Sequence, residues 1–346
     1  MKTTQCPIPY TDSETIQLAH GGGGRLTHEL IANMFYPAFS NPLLNEQHDG
    51  AVFSCEGTKM AYTTDSFVVD PLFFNGGDIG DLAINGTVND LTCCGAKPLF
   101  LTAAFIIEEG FPMEALQRVV DSMHSAAAKA GVSIVTGDTK VVDRGKCDKI
   151  FINTSGIGVV PEGVRIHPDQ IKAGDAVLLT GNIGEHGVCI LSTRESLGFE
   201  TEVKSDTASL NHMIAALMEN VEVHLMRDPT RGGLSSTLNE IADTAAAEIV
   251  LEEELIPISS GVRSACEMLG LDPLYVANEG VMLLFIPEEE VEAALEILHH
   301  FPEGKNACRI GKVTRLSVEP RVVMDTSFGG KRVIDMLSGE QLPRIC

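Results

Sequence analysis

Tryptophan is absent from this sequence, tyrosine occurs four times, and aromatic residues together make up only 5% of it. The cores must therefore be filled by Val, Ile, Leu, Ala and Met, and a hydrophobic content of 44% supplies enough of them. Positive charge is also scarce. Lys and Arg number 25 against 48 Asp and Glu, a formal net charge of −23. A field of that sign repels nucleic acid and anionic lipid, so no nucleic acid and no membrane is expected as a partner. It leaves room for a nucleotide held locally by backbone amides and a metal ion. No run of about 18 apolar residues occurs, and the first residues, MKTTQCPIPYTDSET, lack the apolar core of a secretion signal. The nine cysteines contain no Cys-x-x-Cys pair, which excludes the usual zinc and redox spacings. A cytoplasmic protein with reduced thiols is expected.

At 346 residues the chain suits two domains better than one core. Strand-like runs at 60–69, 98–107, 132–142 and 149–160 alternate with helix-like runs at 80–96 and 112–130. In the second of these helices, Met113, Leu116, Val120, Met123 and Ala127 recur at three- and four-residue steps and predict its apolar face. The stretch 161–174 carries two prolines and marks the expected boundary. Beyond it DAVLLTG begins a second alternation. Helices are expected at 184–197, 208–221, 232–247, 260–269 and 288–300, and strands at 249–251, 280–286, 308–314 and 320–324. The pattern is α+β with α/β-like alternation. It divides into an N-terminal segment over 1–40, an N-terminal domain over 41–160, a C-terminal domain over 174–330 and a flexible, exposed tail over 331–346.

Gly21, Gly22, Gly23 and Gly24, in HGGGGRLTHEL, precede a helix-like run, where consecutive amides can meet phosphate oxygens. No Gly-Lys-Ser/Thr follows, so this is not a Walker A loop, and a flexible linker explains it equally well. Acids recur at the ends of apolar runs: Asp65 in TTDS, Asp90 in VNDL, Asp138 in TGDTK, Asp228 in RDPTRGG and Glu279 in ANEG. Convergent carboxylates suit Mg2+ with nucleotide phosphates, while each acid alone reads more simply as a cap or turn residue. Lys140 follows Asp138 by two residues and shares its face of a strand. Arg231 precedes two glycines at a helix start, which suits a phosphate or a plain cap. Cys93 and Cys94 read as core residues, His299 and His300 as favourable charges at a helix end, and His20 and His186 as turn histidines. The last residues are Leu-Pro-Arg-Ile-Cys; taken alone, Cys346 reads as a frayed residue without a role.

The order of these stretches is similar to that of one family. HGGGG, TTDSFVVDPLFFNGGDIGDLAINGTVNDL, GAKPLFLTAAFIIEEG, TGDTKVV, RDPTRGG, ANEG and the final PRIC together resemble the HypE family of hydrogenase maturation factors, which are carbamoyl dehydratases. That family sits in the ATP-using superfamily of aminoimidazole ribonucleotide synthetase and selenophosphate synthetase. The resemblance runs from about residue 16 to the end, leaving Cys6 outside it. It implies the two-domain aminoimidazole ribonucleotide synthetase-like fold, with N-terminal domains paired as a homodimer and nucleotide near that interface. It implies ATP and Mg2+ as cofactors, the carbamoyltransferase HypF as a partner, and a HypC–HypD iron-carrier complex that receives cyanide for [NiFe]-hydrogenase. Cys346 would carry a carbamoyl group that ATP-dependent dehydration converts to a thiocyanate. By the same resemblance Asp65, Asp90 and Asp138 hold the metal. The four glycines, Asn89, Thr139, Asp228 and Arg231 join the nucleotide site. Glu279 is the base, and Lys140 neutralises the transferred phosphate or moves a proton. Selenophosphate synthesis would need a cysteine or selenocysteine near the glycine stretch, and a purine-pathway ligase has no use for Cys346. A non-catalytic nucleotide-binding scaffold with a docking thiol is the alternative from another class.

Overall fold

The computed structural model describes residues 15–194, 202–317, 319–338 and 344–346. Cys6, the end of the helix expected at 184–197, Leu342 and Pro343 lie outside the described residues. The N-terminal half begins with two short helices, α1 (Arg25–Leu30) and α2 (Tyr36–Phe39). Strands β1 (Ala51–Cys55) and β2 (Thr58–Phe67) follow, then the two-residue strands β3 (Phe73–Phe74) and β4 (Gly77–Asp78). Helix α3 (Ile79–Cys93), β5 (Lys97–Glu108), helix α4 (Met113–Ala130), β6 (Ser133–Val142) and β7 (Ile150–Val159) complete it. The long strands pair in the order β1-β2-β7-β5-β6, and α4 is the crossover between the parallel pair β5 and β6. In β2, Ala61, Thr63 and Phe67 are buried while Tyr62 and Thr64 are exposed, so one sheet face meets α3 and the other is open.

Helix α3 starts at a reciprocal cap: Gly80 N–H donates to the Asp78 carboxylate, and Asp78 N–H donates to Asp81. Nearly all of α3 is buried, because it lies between the N-terminal sheet and elements of the C-terminal half. The buried face of α4 differs from the one its periodicity predicts. Val119, Met123, Ala126, Ala127 and Ala130 are buried, whereas Met113 is 77% and Val120 42% exposed. A close helix crossing is the cause. A Cβ on Gly80 would lie 2.4 Å from the Val119 carbonyl oxygen and 3.1 Å from Met123 Cγ, so the turn carrying Val119 and Met123 faces α3 and Met113 and Val120 point away.

The stretch 161–174 connects β7 to the second half, which contains β8 (Ala176–Leu179), α5 (Glu185–Thr193), α6 (Asn211–Met218) and β9 (Leu225–Arg227). Helix α7 (Gly233–Ala245), β10 (Ala247–Glu252), α8 (Ser260–Leu269), β11 (Leu283–Ile286) and α9 (Val291–Leu298) continue it. It closes with β12 (Cys308–Leu316), β13 (Arg321–Asp325) and β14 (Lys331–Ile334). These strands form one sheet in the order β14-β13-β10-β12-β8-β11-β9. Every residue of β8 and β11 is buried, as expected for interior strands written as unbroken apolar runs. Among the described residues no helix is long and apolar enough to cross a membrane.

The tail is not the free, exposed segment that its composition suggests. Its first residues are β14, paired antiparallel with β13. Its last residues run beside the end of β2: Val68 N–H donates to the Cys346 carbonyl at 2.9 Å and Asp70 N–H to the Arg344 carbonyl at 3.3 Å. Ile345 and Cys346 are 3% and 7% exposed and join the N-terminal core. An isoleucine side chain supplies the reason, since it gains about 1.5–3 kcal/mol on leaving water.

Asn89 ties the two halves together. Its Nδ2 donates to the carbonyls of Ala208 at 2.9 Å and Glu279 at 3.3 Å, and its Oδ1 accepts from Leu210 N–H at 2.9 Å. This engages the whole amide with backbone, so Asn89 is a strut between domains and not the nucleotide contact expected of it. Asn89→Ala strands three backbone groups and should cost about 2–4 kcal/mol. The measurement is the urea midpoint of unfolding, and an unchanged midpoint would deny the strut.

Candidate active site

Carboxyl groups from both halves converge beside α3. Asp65 lies on the helix-facing side of β2, and Asp90 reaches out from α3. Between Asp90 and the Asp49 backbone sits the Thr63 hydroxyl, 2.9 Å from Asp90 Oδ2 and 2.8 Å from the Asp49 carbonyl oxygen. Burial, and then the charges of Asp228, Asp65 and Asp49, push the Asp90 carboxyl well above the usual carboxylate range. Asp228, just after β9, is pushed up to about 7 by burial and then by Asp49. Burial raises Asp65 against the opposing pull of Arg231, and raises Asp49 against that of Arg227, whose Nε lies 2.5 Å from Asp49 Oδ1.

Asp49, Cys93 and Asp228 offer ligand atoms within 4.8 Å of one another. Among the described residues Asp49 Oδ2 is a buried oxygen without a hydrogen-bond partner. Burial followed by the nearby acids raises the Cys93 thiol well above its ordinary range, so it stays protonated. The cluster's two carboxylates are hard oxygen donors of the kind that suits Mg2+.

On the other side of these acids lie Glu279, Arg231 and Cys346. Glu279 is 4% exposed, and burial followed by Asp65, Asp206 and Asp228 drives its carboxyl well above the ordinary value. The Asp206 carboxylate fixes its backbone by accepting from Glu279 N–H at 3.1 Å and Gly280 N–H at 3.0 Å. A Cβ on Gly280 would stand 1.7 Å from the Asp206 carbonyl oxygen, so only glycine can follow Glu279 here. The Cys346 thiol faces the Glu279 carboxyl and is raised by burial, with Arg231 opposing and Glu279 and Asp65 adding. Arg231 is raised first by Cys346 and, against its own burial, by Asp65, Glu279 and Asp90. A neutral thiol, a protonated acid and a guanidinium thus share one small volume.

The structure brings together Asp65, Asp90, Asp228, Arg231, Glu279 and Cys346. Asp138, Thr139 and Lys140 lie elsewhere. Across the sheet Asp65 pairs with Thr154 of β7, Thr154 with Ala103 of β5, and Ala103 with Gly137 of β6. Three strand spacings put Asp138 about 14 Å from Asp65 within one chain. Asp138 pairs with Ala104 and Lys140 with Ile106, so both side chains leave the open face, opposite to Asp65. There they form an exposed ion pair of 2.5 Å. Asp138 is thus no partner of Asp65 and Asp90 within a single chain. The missing information was strand order, which a local sequence does not hold.

The glycine loop does abut the site. Arg231 Nη1 donates to the Gly21 carbonyl at 3.2 Å, and a Cβ on Gly23, whose φ is +71°, would collide with Arg231. Gly23 N–H is already engaged by Thr27 Oγ1 at 3.0 Å. Sequence reasoning missed Asp49, Arg227 and Asp206. The first follows the same signal as the others, an acid beside an apolar run (HDGAVF), and Arg227 directly precedes Asp228. Asp206 has no local signal. His186, read as a turn residue, is fully buried on α5.

Comparison with known proteins agrees with this geometry. Residues 47–160 match the N-terminal domain, and residues 172–321 the C-terminal domain, of AIR synthase related proteins. Carbamoyl dehydratase HypE of Cupriavidus necator is 52% identical over 336 residues, covering 96% of this chain and 95% of that one. The same protein of Escherichia coli K12 is 45% identical over 336 residues, covering 96% and 99%. A HypE solved in complex with ATP superposes with a TM-score of 0.80 at 50% identity, covering 96% of this chain and 100% of that one. A HypE–HypF complex gives 0.84 at 48% identity, covering 89% and 99%. With its acid cluster, its buried terminal cysteine and these full-length matches, the chain belongs to the AIR synthase related family and, within it, to the HypE carbamoyl dehydratases.

Proposed function

We propose that the chain uses ATP to dehydrate an S-carbamoyl group on its own Cys346 to a thiocyanate, which supplies cyanide for the iron of [NiFe]-hydrogenase. The observation that carries this reading is the Cys346 thiol enclosed by Glu279, Arg231 and Asp65. Relatives bear the name of that activity, and one was solved with ATP.

The chemistry sets three requirements. Hydroxide leaves poorly from a carbamoyl carbon, so the carbonyl oxygen first attacks the γ-phosphorus and ADP departs. Loss of one N–H proton leaves a phosphorylated imidate on sulfur. Loss of the second, as the C–O bond breaks toward phosphate, forms the C≡N bond. The site must therefore position a γ-phosphate, balance its charge and accept protons from nitrogen. Asp65 and Asp90, with Asp228 and Asp49 beside them, are the residues that would hold Mg2+. Bound there, the ion neutralises phosphate charge and polarises the transferred group. Arg231 balances charge on the carbamoyl oxygen and the phosphate. Glu279 faces the sulfur and is the group placed to take a proton from the attached nitrogen. Its pKa is held up partly by Asp65 and Asp228, so it falls when those carboxylates are neutralised, and the base becomes available as the site fills.

Cys346 cannot be loaded in the docked pose, because its thiol is buried and its pKa raised. Loading by a HypF-type carbamoyltransferase needs the tail to leave, in line with the HypE–HypF complex solved for a relative. From Ser338 to Cys346 is nine residues, an extended reach of roughly 30 Å. Delivery of cyanide to a HypC–HypD iron carrier in the cytoplasm completes the reading. A homodimer fits the open face of the N-terminal sheet, where Tyr62, Phe100 and Ile106 are 46%, 48% and 45% exposed. Asp138, Thr139 and Lys140 lie on or beside that face, and pairing of two copies is their route to a nucleotide.

In Glu279→Gln the side chain keeps its shape but accepts no proton, and dehydration in a single turnover should slow by about 10²–10⁴-fold. The carbamoylated chain then accumulates with ATP still bound, and nitrile formation at the wild-type rate would remove Glu279 from the base role. Asp90→Asn removes a carboxyl whose ionised form is opposed by burial and three acids, so unfolding temperature should hold or rise while Mg2+-ATP affinity drops by at least about tenfold. Calorimetry reads both, and unchanged affinity would take Asp90 out of the metal site. In Cys346→Ala the fold and ATP affinity should persist. Neither the carbamoyl mass increment nor the following loss of one water should appear in the intact mass; their appearance would refute the carrier assignment.

A further inference from the structure

His186 has no place in the chemistry above, yet it is completely buried and engages the tail directly. Its Nε2 lies 2.6 Å from the Ile345 carbonyl oxygen, and its Nδ1 lies 2.8 Å from Ser205 Oγ. A carbonyl has no hydrogen to give, so Nε2 carries the proton and donates, and Nδ1 accepts from the Ser205 hydroxyl. One tautomer is thereby fixed. The ring is further held edge-on to Phe74, with centroids 5.6 Å apart and planes at 85°. Burial lowers its pKa to about 4, against the opposing effect of the Ile345 carbonyl, so the neutral form persists at physiological pH.

Two neighbouring residues couple this contact to the active site. Ser205 holds the imidazole, and Asp206 grips the backbone N–H groups of Glu279 and Gly280. The histidine and the backbone of the base are thus held by adjacent residues. From the far side the tail is held by Val68 N–H, Asp70 N–H and Arg194, which bond the carbonyls of Cys346 and Arg344. The intervening carbonyl, that of Ile345, points the other way, as in an extended strand, and His186 receives it. Val68 and Asp70 offer only backbone N–H groups, which serve any register; the His186 side chain at Ile345, together with Arg344 Nε on the Val68 carbonyl at 3.0 Å, selects which residue stands before Glu279.

We infer that His186 is a positioning residue for the tail: its Nε2–H bond to the Ile345 carbonyl, with Ser205 setting the tautomer, registers Cys346 against Glu279. This rests on the proposed dehydration for its catalytic meaning, but the register itself is measurable without turnover. The full chain is treated with iodoacetamide, and the alkylation rate of each cysteine is read by peptide mass spectrometry. Loss of one hydrogen bond of ordinary strength shifts a docked–undocked equilibrium roughly tenfold. His186→Ala should raise the Cys346 rate by about that factor and leave the buried Cys93 and Cys266 protected. His186→Gln, whose amide N–H reaches the same carbonyl, should restore protection. Ser205→Ala, the milder change, should raise Cys346 reactivity without disturbing packing, and decides the matter if His186→Ala also exposes Cys93. In the second arm, pre-carbamoylated His186→Ala should dehydrate about tenfold more slowly at unchanged ATP affinity, with His186→Gln again restoring the rate. Wild-type Cys346 protection in both His186→Ala and Ser205→Ala overturns the inference, as does a folded His186→Gln that fails to rescue. If the wild type itself forms no nitrile, the dehydration reading falls and the alkylation arm still decides His186.

Discussion

The crowding of carboxyl groups withdrawn wholly or partly from water is the constraint on which the rest of this structure turns. Asp49, Asp65, Asp90 and Asp228, all half-buried, and the buried Glu279 come from both halves, with Arg227 and Arg231 among them as cations. An ionised carboxylate in such a place is costly, so the pKa values of the group rise. The resting site is therefore primed to take up positive charge, and doing so changes the protonation of whatever acid remains. The proposed cation at Asp65 and Asp90 and the proposed base at Glu279 would both follow from the same crowding. Distributing the acids over β2, α3, the turn after β9 and the strand entry at Asn278–Glu279 also explains why α3 must be buried on almost every side. It is the element that both halves share, and Asn89 bonds it to the Glu279 carbonyl.

The tail adds a second demand. In the proposed reaction Cys346 must be enclosed for dehydration, because water would compete for the activated carbon, and released for loading. The structure meets the first need with modest means: alternating backbone bonds along residues 68–70, one buried isoleucine, and His186. Arg344 adds an ion pair with Asp148, which retains partial solvent access and so contributes little. Attachment to the chain supplies an effective concentration on the order of millimolar, so weak docking suffices. Tight docking would hinder exchange with a transferase.

The regular elements were legible in the sequence where apolar runs were long. Strands β2, β5, β6 and β7 and helices α3 and α4 follow from β-branched runs and helical spacing. The face of α4 was misread because Val119 and Met123 close on Gly80, which turns Met113 and Val120 outward. Short strands such as β9 and β14 carry too few residues to show a period. In the site, acids at strand ends were the guide to Asp65, Asp90, Asp228 and Glu279, which the structure brings together. The guide failed for Asp138 because sheet face depends on pairing across β7 and β5, which no local pattern encodes. The docked tail was hidden for the same reason: its groove is assembled from residues 68–70 and from α5, far away in sequence.

The most direct test of the central electrostatic claim is the protonation of Glu279 itself. Isotope-edited infrared difference spectroscopy, wild type minus Glu279→Gln, isolates its carboxyl stretch. At neutral pH without nucleotide the band of a protonated carboxylic acid is expected, since burial, Asp65, Asp206 and Asp228 all raise its pKa. Adding Mg2+ with a non-hydrolysable ATP analogue should convert that band to carboxylate as the neighbouring acids are neutralised. A Glu279 already ionised in the resting protein, or one that keeps its proton when the site is filled, would contradict the claim.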